Sequence, residues 1–163
     1  MKKLIGGGAL LAGLTDLAIA ATALATPGSG VTSATIAQGS LDPITIKTKI
    51  GEWESELETK GQTDLVVVEN RVAPGGHFGW HSHPGPSLVI VKSGTSTFYR
   101  ADDPTCTGQE HPTGSAYVDP GGVVHTARNE SLTQELVVIV VRLLPPGTQA
   151  RIDAPRPSNC NFG

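Results

Sequence analysis

Long apolar runs and clustered positive charge are both scarce in this chain of 163 residues, which carries only two cysteines. Beyond residue 25 no stretch offers the roughly 20 apolar residues that a bilayer-spanning helix requires. Lys and Arg number 12 against 15 Asp and Glu, a net charge of −3 at pH 7, and they are not gathered in one segment. Nucleic acid and anionic membranes are recognised through gathered Lys and Arg, so neither is an expected partner. No segment predicts a helix of convincing length either. Glu52 to Lys60 could supply a turn or two, but its charges fit a solvated loop equally well.

What is present begins with an address. Met1-Lys2-Lys3, a Leu/Ala/Gly-rich run to about Ala20, and Ala23-Leu24-Ala25 form a charged region, an apolar region and a small-x-small cleavage site. Residues 1–25 are therefore expected to be a secretory signal peptide. The alternative, an N-terminal membrane anchor, is disfavoured by Asp16 within the apolar run and by the small-residue site that ends it. No cysteine follows closely to carry a lipid. Removal leaves 138 residues with 10 basic and 14 acidic side chains, one exported, mildly acidic domain, secreted or held in the periplasm or cell envelope. In an oxidising compartment Cys106 and Cys160 are expected to form a disulfide that pins the C-terminal tail.

Residues 26–41, rich in Thr, Ser, Gly and Ala, lack an apolar period and predict a flexible lead-in. From there the chain is short β-branched runs between turn residues. Ile44–Ile50 alternates like a half-buried strand, and Thr63–Val72 contains Val66-Val67-Val68, suited to a strand covered on both sides. Pro74-Gly75-Gly76 predicts a turn. Ser87–Lys92 and Thr95–Arg100 predict a hairpin, 101–113 a polar loop, and Ser115–Val118, Val123–Arg128 and Leu136–Leu144 three further strands. About eight short strands without helices predict an all-β sandwich or barrel, most naturally a jelly roll, over residues 42–146, followed by an irregular tail over 147–163.

Three of the five histidines fall within seven residues, in Gly75-Gly76-His77-Phe78-Gly79-Trp80-His81-Ser82-His83. On an extended strand His81 and His83 share a face with Cα atoms roughly 7 Å apart, a spacing that lets two imidazoles converge on one metal ion. His77 has the same parity, but roughly 13 Å of strand separates it from His81. It is expected at the rim of the site or on a surface loop. Trp80 has the opposite parity and should pack outside the site. His111 should face solvent, and Tyr99 and Tyr117 should pack in the core or donate into the pocket.

A third imidazole arrives in Gly114-Ser115-Ala116-Tyr117-Val118-Asp119-Pro120-Gly121-Gly122-Val123-Val124-His125, which runs on to Asn129. With it the chain resembles the cupins, small double-stranded β-helix barrels defined by two motifs. Gly75, His81, His83 and Gly94 fit the first motif; Gly114, Pro120, Gly122, His125 and Asn129 fit the second. One position departs, because Ser87 stands where cupins usually carry a glutamate ligand. The resemblance implies that His81, His83 and His125 line the barrel mouth and bind one divalent metal, with Ser87 and His77 around them. It implies structural glycines at Gly94, Gly114 and Gly122, where tight turns call for positive φ.

A neutral three-imidazole site without a carboxylate suits Fe, Zn, Cu, Ni or Co and leaves positions open to water or a small-molecule substrate. Two functions are then expected. One is a metal-dependent enzyme, dioxygenase-like or of another small-molecule chemistry; the other is a non-catalytic cupin that captures a metal or small ligand. Cupins commonly pair, so a homodimer is also implied, with Val137–Val141 at its interface or in the core.

Overall fold

The computed structural model describes residues 25–162, so the expected signal peptide lies outside the described residues except for Ala25. No helix occurs among the described residues. The first strands are β1 (Ser29–Leu41), β2 (Ile44–Ile50), β3 (Trp53–Thr59), β4 (Thr63–His77), β5 (His81–Ser82) and β6 (Ser87–Ser93). They are followed by β7 (Thr95–Arg100), β8 (Gln109–Pro112), β9 (Ala116–Asp119), β10 (His125–Arg128), β11 (Leu136–Leu144) and β12 (Ile152–Asp153). All pairings are antiparallel. Ten strands form one sheet in the order β12-β5-β10-β4-β11-β6-β9, with β1 on β4 and β7 joining β10 to β8. This nearly closed sheet is the expected jelly roll.

The interior follows from register. Val68, Val140, Val89 and Tyr117 lie opposite one another across four strands, and Asn70, Val138 and Val91 form the next row. Val89, Val91, Val138 and Val140 join Val72 and Leu136 in the buried core cluster. Alternation places the neighbouring side chains outside, where Leu88, Ile90 and Val118 are exposed.

Several expectations need correction. Residues 26–41 are not a flexible lead-in: β1 pairs with β4 from Ser29↔His77 to Leu41↔Thr63. Its small residues carry no apolar period because most of β1 faces solvent, and backbone hydrogen bonding rather than side-chain burial holds it. The barrel therefore begins before residue 42. Residues 52–60 are mostly strand, for β3 pairs with β2 along its whole length. Alternation explains the ribbon: Lys47 is 2.8 Å from Glu54 on one face. The other face carries Ile46, Ile50, Trp53 and Leu57, all exposed, so β2 is not half-buried as its pattern predicts.

The predicted hairpin of β6 with β7 is also absent. β6 pairs with β11 and β9, whereas β7 pairs with β10 and β8. Gly94, at φ 81°, turns the chain from one layer to the other, and a Cβ there would stand 2.8 Å from the Glu135 carbonyl oxygen. Pro74-Gly75-Gly76 does not end β4. The strand bends there and runs on to pair His77 with Arg128, while the Gly75 N–H donates to the Ser131 carbonyl at 2.9 Å. The predicted loop 101–113 contains β8, and the tail contains β12.

Cys106 and Cys160 are joined in a disulfide, with Cα atoms 5.5 Å apart. Trp80 has no exposed surface; its indole N–H donates to the Phe162 carbonyl at 3.1 Å, and the Phe162 ring stacks on it. It packs outside the histidine cluster, as its parity requires. Ala25 bridges to Pro155 beside Trp80, so both ends of the described chain meet there.

Candidate metal centre

Two strands and the segment that follows one of them bring three imidazoles to one point inside the barrel. β5 carries His81 and leads directly to His83, while β10 pairs His125 opposite His81. Ring centroids are 4.5 Å apart for His81 and His125, 4.8 Å for His81 and His83, and 5.1 Å for His83 and His125. Their ligand atoms lie within 4.8 Å of one another, and all three residues are buried.

Each ring has its orientation and tautomer fixed in the same way. Nδ1 of His81 is 2.8 Å from the Gly79 carbonyl oxygen, and Nδ1 of His125 is 3.0 Å from that of Val123. Nδ1 of His83 meets the Ala150 carbonyl oxygen. A carbonyl only accepts, so each Nδ1 carries the proton and donates it, which leaves each Nε2 with a free lone pair. Outer hydrogen bonds of this kind are what orient imidazole ligands on a metal. Burial reinforces the neutral state. It is the main cause that lowers His81 to about 2 and His83 to about 4, with the neighbouring His125 adding to both shifts. His125 is lowered by burial as well, although the Asp119 carboxylate opposes the shift.

These shifts predict a pH dependence for the metal-free protein. Below the ordinary imidazole value of 6.5 the unfolded chain takes up protons that the folded chain resists. Stability is therefore full above about pH 6.5 and is lost progressively toward pH 4 and below. Thermal melts of metal-free protein from pH 7.5 to 4 should show a falling Tm. A flat profile would contradict neutral, desolvated imidazoles.

Phe78, Phe98, Val89 and Ala127 form the apolar wall of the cavity, which encloses about 40 Å³. That is room for an ion and a few waters. A wider mouth of about 420 Å³ opens beside His81 and His83, bounded by Pro27, Gly28, Arg142, Arg151 and Asp153. Four buried polar atoms on the inner wall have no partner within the protein: Asn70 Nδ2, Ser87 Oγ, Asp119 Oδ2 and Arg142 Nε. Such orphans are rare inside folded proteins, and here four of them face one cavity. Three convergent lone pairs inside a polar-studded cavity fit a transition metal.

The structure brings His81, His83 and His125 together and places Ser87, 2% exposed, on the same wall. His77 is not in the cluster. Its Nδ1 accepts the Gly79 N–H at 3.2 Å, holding the peptide segment whose carbonyl orients His81. His111 is only partly solvent-facing and stacks on Tyr117 with centroids 4.1 Å apart. Tyr117 lines the cavity, is 3.1 Å from Ser96 Oγ through its hydroxyl, and is pushed up to about 12 by burial. Tyr99 lies outside, donating to Glu130 at 3.1 Å.

Asp119 is the residue that sequence reasoning missed. It is 2% exposed, and its Oδ2 lies 3.4 Å from His125 Nε2 and 3.7 Å from His83 Nε2. In Asp119-Pro120-Gly121 an aspartate is the ordinary turn residue, and Oδ1 does accept the Gly121 N–H at 3.0 Å. Inward parity with Tyr117 was the only signal for its second oxygen.

Fold and site together define an all-β barrel with a buried three-histidine cluster. The cupin domain model matches residues 68–142, so the barrel carries a cupin domain. The chain is similar to the polyketide cyclase RemF from Streptomyces resistomycificus at 15% identity, covering 92% of this chain and 89% of that one with a TM-score of 0.53. It is similar to a cupin domain from Bordetella pertussis Tohama I at 24% identity, covering 64% and 95% with a TM-score of 0.43. A conserved protein with a double-stranded β-helix domain from Klebsiella pneumoniae is 22% identical, with coverages of 71% and 86% and a TM-score of 0.47. At these identities the likeness concerns the fold alone. No curated protein matches the sequence significantly.

Proposed function

We propose that the protein is an exported cupin that holds one divalent transition metal on His81, His83 and His125 and uses it in chemistry on a small molecule, dioxygenase-like or of a related kind. The observation that carries this reading is the convergence of three Nε2 lone pairs, each fixed by an Nδ1–H bond to a backbone carbonyl. Such a metal, when bound, polarises a ligand oxygen or lowers the pKa of bound water. The neutral nitrogen donors favour Fe, Zn, Cu, Ni or Co. Phe78, Phe98, Val89 and Ala127 limit water at the site, and the mouth beside Arg142 and Arg151 gives a ligand its approach. Removal of residues 1–25 on export is part of the same reading, and the joined cysteines support an oxidising destination.

A second reading, a cupin that captures a metal or small ligand without turning it over, is favoured by the small size of the inner cavity, about 40 Å³. Metal analysis of protein purified from its native compartment tests the shared core of both. One equivalent of metal is expected, and His81→Ala/His125→Ala should remove it while the barrel stays folded. Unchanged metal content in the double variant would overturn the site. Oxygen uptake over a panel of small molecules then separates the readings, since silence with Fe(II) bound would favour the binder.

A further inference from the structure

The Asp119 carboxylate has no proton to receive from the imidazoles it faces. Its Oδ2 is 3.4 Å from His125 Nε2 and 3.7 Å from His83 Nε2. Both rings carry their proton on Nδ1, so the short approaches set lone pair against lone pair. Oδ1 is satisfied by the Gly121 N–H, but Oδ2 has no partner within the protein. A buried carboxylate is costly unless it is paired with a cation or bound to a metal. Among the described residues no Lys or Arg nitrogen lies within 4.0 Å of it. Arg142 faces the same cavity, but Ser87 stands between the two along the row of paired strands. What would satisfy Oδ2, His83 and His125 together is one positive ion at their centre. Ligand atoms around such an ion lie roughly 3 to 3.5 Å apart when each is about 2.1 Å from it, close to the 3.4 and 3.7 Å that separate Oδ2 from His125 and His83.

The register says where this carboxylate comes from. Ser87 on β6 is paired directly opposite Asp119 on β9, and both side chains point into the barrel. The glutamate that cupins usually carry is missing at Ser87, yet a carboxylate enters the same cavity from the adjacent strand. Serine is small enough to leave that path clear, and its own Oγ is without a partner within the protein.

Resting on the three-histidine reading above, we propose that Asp119 is a fourth ligand to the metal, a carboxylate moved across one strand pair from the position now held by Ser87. The shell is then three imidazoles and one carboxylate, which extends its reach to harder ions such as Mn(II). One oxygen shapes the Pro120-Gly121 turn and the other meets the ion, so metal binding and the geometry of the β9–β10 turn are tied together.

Titration of metal-free protein with Co(II) and Mn(II) tests this without any assay of activity. Asp119→Asn keeps an acceptor for the Gly121 N–H and so spares the turn; circular dichroism should confirm the fold. Expected is Co(II) binding that persists with a changed visible absorption spectrum, and Mn(II) affinity lowered by a factor on the order of 10 to 100. Ser87→Glu/Asp119→Asn returns the carboxylate to β6 and should recover most of the lost Mn(II) affinity. If Asp119→Asn binds both ions as the unaltered protein does, with the same Co(II) spectrum, Asp119 is not a ligand. If the unaltered protein binds neither ion, the three-histidine reading itself has failed, and the two failures are told apart.

Discussion

Asn129→Ala is expected to destabilise the protein by about 3 to 5 kcal/mol, because one buried amide serves four backbone groups. Asn129 is 1% exposed. Its Nδ2 donates to the carbonyls of Val72 at 3.0 Å, Ala73 at 3.2 Å and Gln134 at 2.7 Å, and its Oδ1 accepts the Ser131 N–H at 3.2 Å. Truncation leaves these groups without their partner, at roughly 1 to 3 kcal/mol for each one that stays dry. The loss should appear in urea as a lower midpoint with an unchanged slope. Asn129→Asp discriminates further. It keeps the acceptor for Ser131 but turns a negative oxygen toward three carbonyls, so it should be at least as damaging as alanine. A loss below about 1 kcal/mol for either variant would show that the loop from Asn129 to Gln134 is held by something else.

Opening the disulfide is the second large effect expected. Cys106 and Cys160 close a loop of 54 residues, for which chain entropy corresponds to roughly 4 kcal/mol and typical measurements to about 2 to 4. Its loss also frees the tail. Phe162 lies between Trp80 and Tyr99, with the Arg128 guanidinium 4.8 Å from its ring centre, and Asn159 donates to the Asp103 carbonyl at 2.6 Å. Cys106 is the one non-glycine residue with positive φ, 50°, among the described residues, a conformation that the bridge and the Asp103 turn hold in place. In a Trp53→Phe background Trp80 is the sole tryptophan. Reduction there should shift its emission to the red and lower the melting temperature. Unchanged emission with the thiols free would mean that the tail stays docked without its tether.

The parts of the fold legible in the sequence were those where local spacing carries the information. Strand parity put His81 and His83 on one face, and the turn around Pro120 and Gly122 announced a strand bearing His125. Gly94, Gly114 and Gly122 do take positive φ. What escaped was decided between strands distant in sequence. β1 shows no period because it meets solvent along most of its length. β2 alternates as a half-buried strand does, yet its apolar face is exposed because the ribbon stands off the barrel. The Ser93-Gly94 turn is indistinguishable in sequence from a hairpin turn, although here it crosses between layers. Asp119 escaped for the same reason, since only the pairing of β6 with β9 puts it opposite Ser87.

The meeting of the chain ends beside Trp80 has a practical side. The Thr26 N–H donates to the Ala154 carbonyl at 3.2 Å, and Pro27 and Gly28 stand with Arg151 and Asp153 around the mouth. The N-terminal edge of the described chain is thus part of the doorway itself. The Gly51-Glu52 tip of the outlying ribbon, which is not among the residues around that doorway, offers a neutral place to attach a label.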